Sequence, residues 1–396
     1  MVVLLGLACA TTASAPSWRT LQQQRGEPGA KPVNLALTSD VVDRDLAVVL
    51  HALERGYGGR AFVPPAAWDA MRAGLEAARR QARTVGALCD ALADAFWLLP
   101  DAHLSARRQD TSGYNVRCGT RATAGGRRPG VGVNRHNGPP GIPWSAQTFE
   151  QAGTRLLRVS IQAFPPEKAP VWDGFTQALE ARASVDAVVV DLRGNGGGDD
   201  SRGYELASAL LDGPVEGNVV RTHYRQTPET LTLLLNTIDR TARQPDGQLA
   251  PYRTEMYRRI ETWRNDAIQA NGNNWPEYKV EVHPPYTPTP GPRSFTGRIA
   301  VLVDAGCASS CESTLEVLRR HPNTRVYGER TGGYIHFGDV GSLTLANTGI
   351  RLGIPTKYQE YPGGVLYDKV GFEPDVTVSP GDDAWDAALA WLTQPG

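Results

Sequence analysis

The chain has 396 residues, of which 41% are hydrophobic, so it can bury a large core and is expected to form one big domain plus a smaller one. Its 41 basic and 42 acidic residues give a net charge of -1. This balance argues against a nucleic-acid partner and against attraction to an acidic surface, and charge identifies no other partner.

The first 15 residues predict a secretory signal. An apolar run over residues 1–10 is followed by small residues that end in the A-x-A-like pattern of Ala13 and Ala15, although the usual basic start is missing. We therefore expect an exported protein, periplasmic or secreted. Cys9 is an alternative lipid-anchoring residue, but the residues before it match that signal poorly. No other segment approaches the ~20 apolar residues of a membrane span, so we expect no integral span.

A helical N-terminal region is expected over residues 35–105. Helix-like periodicity is clearest at 41–50, 68–82 and 85–98. The next segment, residues 106–148, is rich in Gly, Pro and Arg, which predicts loops or short strands that bridge to the core.

Residues 150–396 predict an α/β core. A strand-like stretch at 154–161 is followed by a helix-like stretch at 171–182 and by a second apolar strand at 185–191. Strand, helix and strand in this order are typical of an α/β fold. A polar, helix-forming insertion interrupts the core at about 226–290. A cover over the cleft and a plain surface hairpin are both consistent with it.

The most informative residue is Ser309, which lies between a buried strand and a helix. Apolar residues 299–303 precede it and helix-like residues 313–320 follow it. A serine in this place can act as a nucleophile, with N–H groups of the first helical turn, including that of Ser310, beside it to hold an oxyanion. On these residues alone, a helix N-cap is an equally good interpretation of Ser309.

A glycine turn lies about 110 residues upstream, directly after the apolar strand that ends at Asp191. Consecutive glycines allow positive φ angles and leave N–H groups free to face an anion. Gly197 and Gly198 are therefore predicted to supply the other half of an oxyanion hole. A tight structural turn is the alternative. A nucleotide loop is disfavoured because neither glycine-rich nucleotide-binding spacing is present.

Four cysteines lie outside the leader, an even number that suits two disulfides in an oxidising compartment. Three pairings are possible. Zinc binding is the rival interpretation, but the one close pair has no second Cys or His pair with ligand spacing. We expect neither a metal nor another cofactor. The four residues are Cys89, Cys118, Cys307 and Cys311.

Four motifs occur in the order found in the tail-specific (C-terminal-processing) serine protease family, which residues 150–380 resemble. The resemblance implies a crotonase/ClpP-like core, hydrolysis of a peptide or protein substrate, and Ser309 as nucleophile. The motifs are Asp-Leu-Arg-Gly-Asn-Gly-Gly-Gly at 191–198, Val-Asp at 303–304 with Ala-Ser-Ser-Cys-Glu at 308–312, Gly-Glu-Arg-Thr-Gly-Gly at 328–333, and Gly-Phe-Glu-Pro-Asp at 371–375.

The chain departs from this family at the base. Many members use a Lys, but the matching position holds Tyr334. Either the protein is inactive, or it resembles the tricorn-like and nisin-resistance-like branch, whose base is a His from the N-terminal region. The segment around His103 resembles the motif of that branch, which implies His103 as base. Asp368 lies near the position of the supporting acid, with an ordinary loop Asp as the alternative. His336 is the alternative base.

These observations predict a serine endopeptidase that works by a Ser–His mechanism in an exported compartment. One alternative is a catalytically inactive family member that binds a ligand or peptide, since the resembling fold family includes retinoid carriers. Another is a scaffold or inhibitor that binds a folded partner. The sequence identifies neither the substrate nor the oligomeric state.

Overall fold

The computed structural model describes residues 15–25, 31–109, 115–119, 131–166, 168–284 and 289–394. Residues 1–14 of the predicted signal, including Cys9, lie outside these ranges. The α-helices are α1 (Trp18–Gln23), α2 (Ser39–Gly56), α3 (Pro65–Gln81), α4 (Val85–Phe96), α5 (Phe175–Leu179), α6 (Ser201–Leu211), α7 (Pro228–Ala242), α8 (Pro251–Ala270), α9 (Ser310–Leu318) and α10 (Ala384–Leu392).

The strands fall into three sheets, so the predicted mixed α/β fold is confirmed. They are β1 (Ser105–Gln109), β2 (Asn115–Arg117), β3 (Trp144–Gln151), β4 (Thr154–Ile161), β5 (Ala187–Asp191), β6 (Arg221–Arg225), β7 (Tyr278–Val282), β8 (Arg298–Val303), β9 (Thr324–Gly328), β10 (Phe337–Gly338), β11 (Gly341–Thr344), β12 (Arg351–Ile354), β13 (Lys357–Glu360) and β14 (Val376–Thr377).

A six-stranded sheet in the order β14-β9-β8-β5-β4-β3 forms the centre of the molecule. Strand β5 is an unbroken apolar run that ends in Asp191, and all of its residues are buried, as expected for a parallel strand covered on both faces. It pairs in parallel with β4 and with β8, so that Asp191 lies opposite Leu302. The glycine turn after β5 and the Ser309 turn after β8 therefore leave the sheet at the same edge, where α/β folds place their ligands.

The N-terminal helices α2, α3 and α4 build a second core with the sheet β11-β12-β1-β2. The predicted insertion forms the two helices α7 and α8. Leu233 of α7 belongs to the N-terminal core, and the Asn236 amide donates to the carbonyls of Leu21 and Ser342. The insertion thus packs on the N-terminal region, and strand β7 after it joins the third sheet, β10-β13-β6-β7.

Two disulfides link the four cysteines of the described chain. Cys89 of α4 pairs with Cys118, which follows β2, and Cys307 pairs with Cys311 around the Ser309 turn. Among the helices of the described ranges, none has both the length and the apolarity that a membrane crossing needs.

Candidate active site

Ser309 occupies a strained turn between β8 and α9. Its φ of 59° and ψ of -121° lie outside the regions that a serine ordinarily adopts, and a helix N-cap is normally extended. Such a conformation costs roughly 1–3 kcal/mol and persists only where the surroundings impose it, which is common at active sites. Ser309 is half-buried and is also the N-cap residue of α9, in a capping box with Glu312. Its strained backbone, which an N-cap does not need, is what favours a nucleophile.

The Glu312 carboxylate imposes this turn. It is fully buried and accepts hydrogen bonds from the N–H of Ser309 (3.0 Å), the N–H of Tyr334 (2.7 Å), the N–H of Gly333 (2.8 Å) and the hydroxyl of Thr331 (2.5 Å). Both of its oxygens are thus occupied. One side chain consequently fixes the backbone of the nucleophile to the 331–334 segment.

The glycine turn lies directly against the nucleophile. A Cβ on Gly197 would stand 2.9 Å from the Ser309 Cβ and 2.6 Å from the Ala308 carbonyl oxygen, so this contact requires glycine. The Ser310 hydroxyl donates to the Gly198 carbonyl at 2.8 Å and ties the turn to the start of α9. The structure thus brings Ser309, Ser310, Gly197 and Gly198 together.

The three predicted oxyanion donors differ in one respect. The N–H of Gly197 donates to Asn195 Oδ1 at 2.8 Å, so it is already used and the prediction for this N–H needs correction. The N–H groups of Gly198 and Ser310 make no hydrogen bond within the described part of the chain. These two remain suited to an oxyanion, while Gly197 provides the close approach.

His103 and Asp368 lie together, and Asp101 joins them. One nitrogen or carboxylate oxygen of each residue falls within 4.8 Å of those of the other two. Asp368 accepts the N–H of Ala102 at 3.2 Å, which fastens the loop that carries Asp368 to the residue before the base. His103 Nδ1 is buried and makes no hydrogen bond. Within the described residues, no hydrogen bond joins the His103 ring to either carboxyl group.

Burial sets the charge states of this cluster. It lowers the pKa of His103 to about 4, and the positive charges of Lys357 and Arg117 act in the same direction. It raises the pKa of Asp368 to about 6, against the lowering effect of three backbone N–H donors. The imidazole is therefore neutral at pH 7 and able to accept a proton.

Tyr334 joins the nucleophile to the histidine. Its ring packs edge-on against His103 with the ring centres 5.3 Å apart, while its N–H shares Glu312 with Ser309. Arg117 donates to the Tyr334 hydroxyl at 3.1 Å and to the Ala102 carbonyl at 3.2 Å.

The Cys89–Cys118 disulfide anchors the residue next to Arg117 to α4. Tyr334 thus contacts both parts of the site, the Ser309 turn through Glu312 and the loop of His103 through its ring.

His336, the alternative base, has both ring nitrogens engaged. Nδ1 is 2.8 Å from the Gln359 carbonyl oxygen, and Nε2 accepts the N–H of Tyr367 at 3.0 Å. The side chain is buried. This fixed tautomer leaves no lone pair for a serine proton, so the geometry favours His103 over His336.

Two further residues lie in the site, and the sequence predicted no role for either of them. Asp101 lies two positions before His103, and its Oδ1 accepts the N–H of His103 at 2.7 Å and that of Leu104 at 3.0 Å. An Asp side chain that accepts the backbone N–H two residues later is typical of a turn, so the sequence around Asp101 indicated this contact. Tyr57 lies beside Asp101 but comes from the end of α2, and no local pattern indicates it.

Comparisons with known proteins agree with this architecture. The profile of Peptidase family S41 matches residues 155–378. A candidate peptidase of Parabacteroides merdae superposes with a TM-score of 0.54 at 15% identity, over 91% of this chain and 98% of that one.

Mature CPAF in complex with lactacystin superposes with a TM-score of 0.53 at 14% identity, over 89% and 97% of the two chains. At these identities the structures establish a shared fold. No match was found among curated proteins. The family match spans more than half of the chain, including the glycine turn, Ser309 and Asp368, and the chain therefore belongs to peptidase family S41.

Proposed function

We propose that this protein is a serine endopeptidase with Ser309 as nucleophile, His103 as base and Asp368 as the carboxylate that orients the base. One observation carries the proposal. Ser309 is held in a strained turn against Gly197, and the N–H groups of the neighbouring Gly198 and Ser310 have no partner in the described chain. That arrangement suits an oxyanion hole and has no evident structural use.

The proposed reaction is acyl transfer to water. The Ser309 oxygen attacks the peptide carbonyl carbon while neutral His103 accepts the hydroxyl proton, and the N–H groups of Gly198 and Ser310 hold the oxyanion. The imidazolium then gives its proton to the leaving amine, and water hydrolyses the acyl-enzyme by the same steps. Each oxyanion donor is worth about 10²–10³ in rate.

A histidine base distinguishes this proposal from a Ser–Lys mechanism. Tyr334 stands where many tail-specific proteases carry Lys, and it packs against His103. These contacts support the tricorn-like and nisin-resistance-like branch, built on a crotonase/ClpP-like core. The substrate is a peptide or protein, as the family implies.

We also propose that the enzyme acts outside the cytoplasm, in the periplasm or as a secreted protein. Two disulfides support this compartment, because such bonds persist where the environment is oxidising. Mass spectrometry of the mature protein expressed in its full-length form tests it. Cleavage after residue 15 is expected, and a mature protein that retains its first residues would contradict the proposal.

Labelling with a fluorophosphonate serine-hydrolase probe tests the mechanism. We expect the wild type to react and the variants Ser309→Ala and His103→Ala to lose labelling. Ser313→Ala, a serine one turn further along α9, is the matched control and should label normally. Loss in His336→Ala but not in His103→Ala would transfer the base to His336. An unlabelled wild type would favour a catalytically inactive binding protein.

A further inference from the structure

Asp101 is a buried carboxyl group beside His103 that the proposed mechanism leaves unused. Only 1% of the residue is exposed. Its Oδ1 holds the backbone N–H groups of His103 and Leu104, while its Oδ2 is buried and completes no hydrogen bond. Asp101 thus fixes the backbone of the base with one oxygen and faces the cluster interior with the other.

Tyr57 closes the cluster behind Asp101. Its side chain is fully buried, and its hydroxyl completes no hydrogen bond of regular geometry. Burial and the neighbouring Asp101 carboxyl raise the pKa of Tyr57 well above its ordinary value. The phenol therefore remains protonated and presents a donor to Asp101.

The two carboxyl groups of the cluster are not equivalent. Asp368 accepts three backbone N–H groups, those of Ala102, Ile335 and His336, and lies near the positive charge of Lys369. Asp101 accepts two backbone N–H groups, faces the Tyr57 hydroxyl and is the more deeply buried of the two. A nearby positive charge and a smaller desolvation favour the ionised form, so Asp368 loses its proton first. Two buried carboxyl groups that lie close together seldom ionise together, so the second one keeps its proton to a higher pH.

We propose that Asp101 is a positioning residue for His103, acting with Tyr57 as the protonated partner of ionised Asp368 and holding the base beside that carboxylate. This inference rests on the proposed function, in which His103 is the base. Burial and the charge of Asp368 raise the pKa of Asp101 to about 7, which supports a neutral Asp101 below that pH. Other titratable groups facing the cluster are Tyr57, Arg117, Asp339, Lys357 and Lys369.

Asparagine at position 101 provides the decisive variant, because its amide copies the shape and the neutrality of a protonated carboxyl. At pH 6 we expect Asp101→Asn to react with the fluorophosphonate probe within about threefold of wild type. Asp101→Ala, which leaves the N–H groups of His103 and Leu104 without an acceptor, should react at least about tenfold more slowly, because small misplacements of a catalytic group are costly. Asp45→Asn, at another buried aspartate that accepts two side-chain hydrogen bonds, controls for general loss of stability.

The pH dependence separates this role from a purely structural one. Labelling of the wild type should change as Asp101 ionises near pH 7, and this change should disappear in Asp101→Asn but persist in Asp45→Asn. If Asp101→Asn is as slow as Asp101→Ala, Asp101 works as an anion and the proposal is overturned. A pH profile that is the same in Asp101→Asn and wild type would also overturn it.

A readout without catalysis distinguishes this failure from failure of the proposed function. In a Ser309→Ala background, NMR of the His103 ring should show a shift near pH 7 that is absent when Asp101 is replaced by Asn. His103→Gln assigns the signal. If the shift is present but the wild type does not label, the proposed function fails while the contact between Asp101 and His103 stands. If no shift occurs near pH 7, the proposal for Asp101 is wrong.

Discussion

Replacement of Glu312 by Gln should have two effects, because it should loosen the turn at Ser309 and also destabilise the fold. The carboxylate is fully buried and accepts four hydrogen bonds, from the N–H groups of Ser309, Gly333 and Tyr334 and from the Thr331 hydroxyl. An amide has only one accepting oxygen. Whichever way it turns, two of the four donors lose their acceptor.

The magnitude follows from the number of orphaned donors. Each buried donor without a partner costs about 1–3 kcal/mol, so two of them predict a loss of about 2–6 kcal/mol in the free energy of unfolding. Domains have an unfolding free energy of about 5–15 kcal/mol, so the protein should remain folded if the loss is near 2 kcal/mol. Ser309, no longer held in its strained turn, should also react with the fluorophosphonate probe about 10²-fold more slowly.

Urea unfolding gives the stability, and the labelling rate of the folded fraction gives the reactivity. Glu316→Gln is the matched control, because Glu316 lies one turn further along α9, is also buried, and accepts bonds from Asn218 and Arg320 rather than from the nucleophile turn. It should lose stability and keep its labelling rate. A Glu312→Gln variant that unfolds at the wild-type midpoint and labels at the wild-type rate would refute the reasoning.

Two further predictions concern the disulfides and the charge of His103. In the loop-entropy account, Cys→Ala at both 307 and 311, a separation of 4, costs about 2 kcal/mol, and the same change at 89 and 118, a separation of 29, costs about 3.5 kcal/mol. Urea unfolding should give this order, and the 307/311 variant should also label more slowly; equal costs with full labelling would contradict the prediction. Because burial lowers the pKa of His103 to about 4, labelling should survive at pH 5 and fall as the pH passes through about 4. The unfolded chain binds this proton at about pH 6.5, whereas the folded chain binds it only at about pH 4. The free energy of unfolding should therefore decrease as the pH falls from about 6.5 to 4. His103→Gln should remove that loss, and a stability profile unchanged by the substitution would show that the pKa of His103 is the same in the folded and the unfolded chain.

The nucleophile half of the site was predictable because its signals are local. An apolar strand, a serine and an amphipathic helix follow one another around Ser309, and glycines follow the strand that ends at Asp191. Parallel pairing of these two strands then brings the turns together. Sequence did not reveal that the N–H of Gly197 is already used, because that depends on the orientation of the Asn195 amide within the same turn.

The base half was harder to predict because its contacts are distant in sequence. The Ala102 N–H and Asp368 are 266 residues apart, and Tyr57 comes from the segment that follows α2. The motif around His103 indicated a base but not which carboxyl groups surround it. The disulfide pairing was open for the same reason, since it depends on how Cys118 after β2 is placed beside α4.

The division of the site between two parts of the chain has a consequence for assigning function within the family. The matched residues 155–378 include Ser309 and Asp368 but not His103 or Asp101. Contacts that join the two parts include Arg117 with Tyr334, the N–H of Ala102 with Asp368, and Lys369 with the carbonyls of Trp97 and Leu99. The family match to the core therefore covers the proposed nucleophile, Ser309, whereas the proposed base, His103, lies in the N-terminal region outside the matched residues.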